Sequence, residues 1–142
     1  MNKVKIALDP NAIEPTRAHD TDAGIDLYTP YQFTIFSNES KVIDTGVHIE
    51  VPEGYVAIVK AKSGLSVKSD IEIGAGVIDC GYSGSVAVHL YNFGSVRKKF
   101  DKGNKIAQLL IVPIETPSLE VVSLDAFQDT ERGSDGFGST GD

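Results

Sequence analysis

Turn residues interrupt this chain so often that no long element fits between them. Thr29-Pro30, Gly46, Pro52, Gly64, Gly74 to Gly76, Gly84, Asn92 to Gly94 and Gly103-Asn104 fall at short intervals, and each favours a reversal or a break. Between them apolar residues alternate, the period of a strand with one buried face. Val4, Ile6 and Leu8 make one such row, and Val47, Ile49 and Val51 another, closed by Pro52-Glu53-Gly54. The runs Tyr55–Lys60, Ser85–Tyr91 and Lys105–Val112 are rich in β-branched and aromatic residues, as strands are. No segment sustains a helical period between caps, and a single short helical turn fits, around Leu65 to Ser69. The pattern predicts an all-β fold: a sandwich, a barrel or a jelly roll.

The 142 residues make one domain's worth of chain, enough to bury roughly two thirds of the unfolded surface. A formal net charge of −7 argues against sequence-independent binding to nucleic acid or to an anionic membrane. It does not exclude a small polyanion, which a few basic groups in a cleft can hold. The apolar run from Ile106 to Ile114 is interrupted by Gln108 and Pro113 and is too short to span a bilayer. The first residues show no signal-peptide pattern. The sole cysteine, Cys80, has no internal partner, which fits a reducing compartment. A cytoplasmic location is expected, with neither nucleic acid nor membrane as partner.

Composition shifts only near the C-terminus. Residues 1–130 read as the β domain, and 131–142 as a glycine-rich tail with Phe137 its single large apolar residue. Such a segment cannot pack on itself. Gly136, Gly138 and Gly141 match a dinucleotide fingerprint by letter, but that motif needs a helix after it, and none fits here. Composition leaves two readings open for the tail: an inert terminus, or a mobile arm whose backbone N–H groups approach phosphate oxygens.

Taken singly, the polar candidates have ordinary explanations. Asp79 suits a turn ahead of Gly81, Tyr82 a half-buried strand, and Gln108 a lone polar position on a strand. His19, His48 and His89 lack metal-ligand spacing. Cys80 has no evident activating partner. Arg97, Lys98, Lys99, Lys102 and Lys105 read as a solvated hairpin.

Taken together, five segments say more. Ala23–Leu27 (AGIDL), Ala61–Ser66 (AKSGLS), Gly76–Gly84 (GVIDCGYSG), Gly103–Leu110 (GNKIAQLL) and Arg132–Gly141 (RGSDGFGSTG) resemble the five ordered motifs of the trimeric dUTPase family. The resemblance implies a jelly-roll-like subunit in a homotrimer, with active sites shared between subunits and closed by the tail. It implies hydrolysis of dUTP to dUMP and pyrophosphate with Mg²⁺. Asp79 would be the general base that aims a water at the α-phosphorus. Tyr82 would press on the deoxyribose and exclude a 2′-hydroxyl. The hairpin from Ile73 to Ile78, with Gly74 and Gly76, would offer backbone groups to uracil. Lys62, Ser63, Gly64 and Gln108 would contact phosphate, with Ser63 and Gly64 in a turn followed by a short helix whose N-terminus favours anions. Arg132, Gly138, Ser139 and Thr140 would hold the β- and γ-phosphates, and Phe137 would stack over the base. Asp26 would support the site from behind. No dedicated carboxylate cage is expected for Mg²⁺, which leans on substrate phosphates and water.

This chain departs from the family pattern at Ala61 (usually proline), Lys62 (usually arginine), Ser83 (often arginine) and Asp135 (usually a small residue). Lysine offers a point charge where arginine offers a fork. Two rival readings remain: a dCTP deaminase, which shares the fold, and a non-catalytic trimeric β module that binds proteins.

Overall fold

The computed structural model describes residues 3–138, 140 and 141. Ten strands, one short helix and one 3₁₀ turn follow each other: β1 (Ile6–Leu8), β2 (Ile25–Tyr28), β3 (Phe33–Ile35), β4 (Ser40–Ile49), β5 (Tyr55–Lys60), α1 (Ser63–Ser69), β6 (Ile71–Gly74), β7 (Val77–Ile78), β8 (Ser85–Asn92), β9 (Lys98–Phe100), β10 (Lys105–Pro113) and the turn Leu124–Ala126. One sheet has the order β1-β4-β8-β6, a second β2-β10-β5-β7, and β3 pairs with β9 as a ribbon. All pairings are antiparallel. Among the described residues, no two neighbours in a sheet are consecutive strands, so the chain crosses repeatedly between layers, as in a jelly roll.

Strand β8 shows how the alternation becomes a core. Val86, Val88 and Leu90 point inward and are fully buried, while Ala87, His89 and Tyr91 face out. One hydrophobic cluster takes residues from both four-stranded sheets and from the ribbon, including Leu27, Ile43, Val59, Val88, Phe100, Ile106 and Leu109. Phe33 stacks on Phe100 with centroids 4.7 Å apart. Truncating a buried Ile106 or Leu90 to alanine would cost about 2–5 kcal/mol through lost burial and a residual cavity. The buried Asn92 is satisfied on every side. Its amide donates to the carbonyls of Ile35 and Val96, and its oxygen accepts from Gly94 N–H. That one polar side chain therefore knots the end of β8 to β3 and to the loop before β9.

Three local features differ from the expectations above. The helix begins at Ser63 rather than Leu65. The outer row of β1 is not core: Ile6 and Leu8 are exposed at a sheet edge. The segment from Ile73 to Ile78 is not a hairpin, because β6 belongs to the first sheet and β7 to the second. It crosses between them at Ala75 (φ 51°) and Gly76 (φ 110°), consecutive positive φ values that turn the chain from one layer to the other.

Candidate active site

Two clusters of polar groups form at different ends of the β2-β10-β5-β7 sheet. The first is built around Asp26. Its carboxylate is buried and binds the ammonium groups of Lys62 and, at 3.1 Å, Lys105. Burial raises its proton affinity, but the hydrogen bonds and charges of the two lysines outweigh this and hold the carboxyl below its ordinary value. The same contact raises the Lys105 ammonium. Lys105 had read as part of a solvated basic run. Its side chain is exposed as expected, and a register shift in β10 between Lys105 and Ala107 accompanies the added contact with Asp26.

Gln108 stands directly across from Asp26 on β2 and from Lys60 on β5. Its amide donates to Ala61 O at 2.8 Å, which tethers the segment leading into α1. Gly24 leaves room for that side chain: a Cβ there would lie 2.0 Å from Gln108 Oε1. Lys62 is the extended residue before α1, and no side chain caps the helix. The first N–H groups, on Ser63, Gly64 and Leu65, have no intrahelical acceptor by helix geometry. Asp26, Lys62, Ser63, Gly64 and Gln108 are thus brought to one end.

The second cluster surrounds a pocket of about 230 Å³ lined by Val59, Ala75, Gly76, Ile78, Asp79 and Tyr82 among others. Asp79 is exposed, and among the described residues its side chain has no hydrogen bond or ion pair. Tyr82 donates its hydroxyl to Ser85 O at 2.9 Å, which folds the ring over Gly84. Ile73 and Gly74 lie on β6, and Ile78 on β7. Both are edge strands, so each keeps a row of backbone groups unpaired on its outer side.

The described residues of the tail join neither cluster. Phe137 is fully exposed. Arg132 Nε donates to Asp135 O at 2.9 Å, so the guanidinium serves the tail's own turn. Gly138 accepts from Gly141 N–H at 3.0 Å, and Thr140 is exposed. Ser139 lies outside the described residues. Among those described, no group of three or more His, Cys, Asp or Glu is placed to hold a metal ion.

The structure therefore places a lysine-flanked buried carboxylate beside an open helix start, and a pocket edged by free strand backbone and a tyrosine, on one jelly-roll framework. The dUTPase family model matches residues 10–141. The chain is 46% identical over 136 residues to the deoxyuridine 5′-triphosphate nucleotidohydrolase of Mus musculus, covering 96% of this chain and 83% of that one. It is 46% identical to the mitochondrial enzyme of Homo sapiens, spanning 94% of this chain and 52% of the human one. A mutant dUTPase of Staphylococcus bacteriophage 80alpha, solved with dUpNHpp, superposes with a TM-score of 0.92 at 32% identity, covering 99% of each chain. A mutant dUTPase from phage phi11 of S. aureus, whose structure details a structural Mg(II) ion, gives a TM-score of 0.82 at 31% identity, covering 90% of this chain and 100% of that one. The chain belongs to the dUTPase family of dUTP nucleotidohydrolases.

Proposed function

We propose that this chain hydrolyses dUTP to dUMP and pyrophosphate by in-line attack of water on the α-phosphorus, with Asp79 as the base. The observation that carries this reading is the state of Asp79: an exposed carboxylate with no partner among the described residues, on the rim of the pocket that Tyr82 also lines. Asp79 takes a proton from water as the water oxygen bonds to phosphorus, and the bond to the bridging oxygen of pyrophosphate breaks. The free edges of β6 and β7, around Ile73, Gly74, Gly76 and Ile78, supply N–H and C=O groups to the uracil edge. Tyr82 lies against the deoxyribose and leaves no space for a 2′-hydroxyl. Lys62, Ser63, Gly64 and Gln108 grip phosphate, and the tail adds Arg132, Gly138, Ser139 and Thr140, with Phe137 on the base.

The donor set fits a Mg²⁺ ion carried by the triphosphate. The carboxylate at the phosphate end, Asp26, is already bound by two ammonium groups, which leaves phosphate oxygens and water as its main ligands. When bound, Mg²⁺ neutralises triphosphate charge.

The register of β5 favours a site shared between copies of the chain. Ile78 pairs with Ala57, which sets Asp79 beside Val56, whereas Gln108 pairs with Lys60. Val56 and Lys60 are about 13 Å apart along the strand, and two strand spacings across the sheet add about 10 Å. A phosphate at one end is out of reach of the other, so each end needs its complement from a neighbour. The outer face of the first sheet also supports self-association. Val42 and Phe93 are exposed there, and Tyr91 stacks on Phe93 at 5.3 Å and meets the tilted His89 ring at 4.4 Å, an uncovered apolar patch of the kind that marks an interface. We assign the assembly as a homotrimer in the cytoplasm.

Pyrophosphate release measured across the deoxynucleoside triphosphates and UTP tests the reading. Release from dUTP alone is expected. Ammonia from dCTP in place of pyrophosphate would instead make the chain a deaminase.

A further inference from the structure

His48 sits where two distant parts of the chain meet the turn that bears Asp79 and Tyr82. The β4–β8 ladder is interrupted between Asp44 and His48, and it resumes where His48 faces Ser85. Gly46, at φ 69°, accommodates the irregularity. A side chain there would also press on Ala12, with Cβ atoms 2.9 Å apart. Past this bulge, the His48 ring lies between the Ser83 carbonyl, 2.8 Å from Nδ1, and the Asp9 carboxylate, 2.9 Å from Nε2. Both partners are acceptors. A neutral imidazole has one N–H and satisfies only one of them, whereas an imidazolium satisfies both.

The turn itself has little else to hold it. Residues 79–83 are exposed, and within the turn Tyr82 N–H reaches Asp79 O at 3.3 Å. Among the described residues, two side-chain hydrogen bonds tie residues 79–83 to the rest of the chain: the Tyr82 hydroxyl donates to the nearby Ser85 O, and His48, from another strand, bonds the Ser83 carbonyl. Asp9 is itself anchored, since its N–H donates to Gly46 O and its carbonyl accepts from Ala12 N–H, both at 2.9 Å. Asp9, His48 and Ser83 therefore form a strap from the loop after β1, across β4, to the turn.

We propose that His48, as an imidazolium, is a positioning residue that holds the turn carrying Asp79 and Tyr82 in the orientation the reaction needs. The inference rests on Asp79 being the base. The charged and titratable groups around His48 agree with a cation. From the loop after β1 comes Asp9, and from β4 Asp44; the Lys5–Glu50 ion pair, at 3.5 Å, and Tyr82 line the adjoining cavity of about 450 Å³. The hydrogen bond to the Ser83 carbonyl, then that to Asp9, raise the ring above its ordinary value, against the opposing effect of burial. The stabilising contacts are therefore fully present below the ring's ordinary value and lost as pH rises through the higher folded value.

The test is the pH dependence of kcat and KM for dUTP from about pH 5.5 to pH 9, with wild type, Asp9→Asn, His48→Gln and Asp79→Asn assayed side by side. In wild type, kcat falls on the alkaline side with the His48 ionisation, which NMR of the imidazole nitrogens follows independently. Asp9→Asn removes an anion and shifts that fall to lower pH. His48→Gln gives a severalfold lower kcat without the alkaline fall, with KM changed less. Superposable wild-type and Asp9→Asn profiles, or a His48→Gln enzyme with wild-type kcat and profile, would overturn the strap. If His48→Gln does not fold, the Asp9→Asn shift decides alone. Near-normal turnover by Asp79→Asn would remove the base assignment, a failure separate from the other two.

Discussion

The two ends of the β2-β10-β5-β7 sheet are built on opposite terms. At one end Asp26, Lys62 and Lys105 are already paired with each other, and Gln108 is bonded to Ala61 O. These groups are fixed before any ligand arrives. At the other end Asp79 is exposed and unpaired among the described residues, on a turn secured from outside by one histidine. The contrast suits the two tasks. Gripping a phosphate calls for preorganised charge, while a base needs an unoccupied lone pair for its water. A carboxylate held as Asp26 is could not serve as the base, since two ammonium groups already stabilise its ionised form.

Substitutions at the two ends should therefore differ in kind. Asp79→Asn should fold and bind dUTP yet lose turnover by on the order of 10²-fold or more, read as pyrophosphate release at saturating substrate. Near-normal turnover would mean that the open end does not house the base. Asp26→Asn leaves Lys62 and Lys105 without their common anion, and kcat/KM should fall by roughly tenfold through loss of positioning. Its signature is also visible in acid. The wild-type carboxyl titrates below its ordinary 3.8, so the stability it contributes is complete above that pH and is lost as pH falls through the lower folded value. Acid unfolding of Asp26→Asn, followed by circular dichroism, should lack that part of the slope. Lys62→Arg should change least, with kcat/KM kept or improved within about threefold, because a guanidinium can fork two oxygens where lysine meets one. A large loss would show that the geometry around Asp26 is specific to an ammonium.

Much of this fold is legible in the alternation of its residues. Ser85–Tyr91 and Tyr55–Lys60 read as strands and are strands, and Val86, Val88 and Leu90 are core as their spacing demands. The ribbon of β3 and β9 is harder to see, since three-residue strands carry too little pattern. The crossover at Ala75 and Gly76 looks like a hairpin because glycines mark both, and only sheet membership separates them. Lys105 is exposed, as Lys99 and Lys102 in the same basic run are, and nothing in the run's spacing shows its added contact with Asp26. His48 is hidden more deeply, because its partners Asp9 and Ser83 lie 39 and 35 residues away. Local spacing holds no record of a bond made by a bulge in one strand and a turn after another.

In the proposed function these two ends meet in one active site only across copies of the chain, and mixing inactive variants puts this to the test. Asp79→Asn disables one end and Lys62→Ala the other, so each homo-oligomer alone should be weak. Unfolded together in equal amounts and refolded, they should recover about a quarter of wild-type activity, because chains drawn at random give some sites an intact end from each partner. If both ends of a site came from one chain, every chain in the mixture would carry a lesion in its own site. Activity no higher than the average of the two separate variants would contradict the shared site.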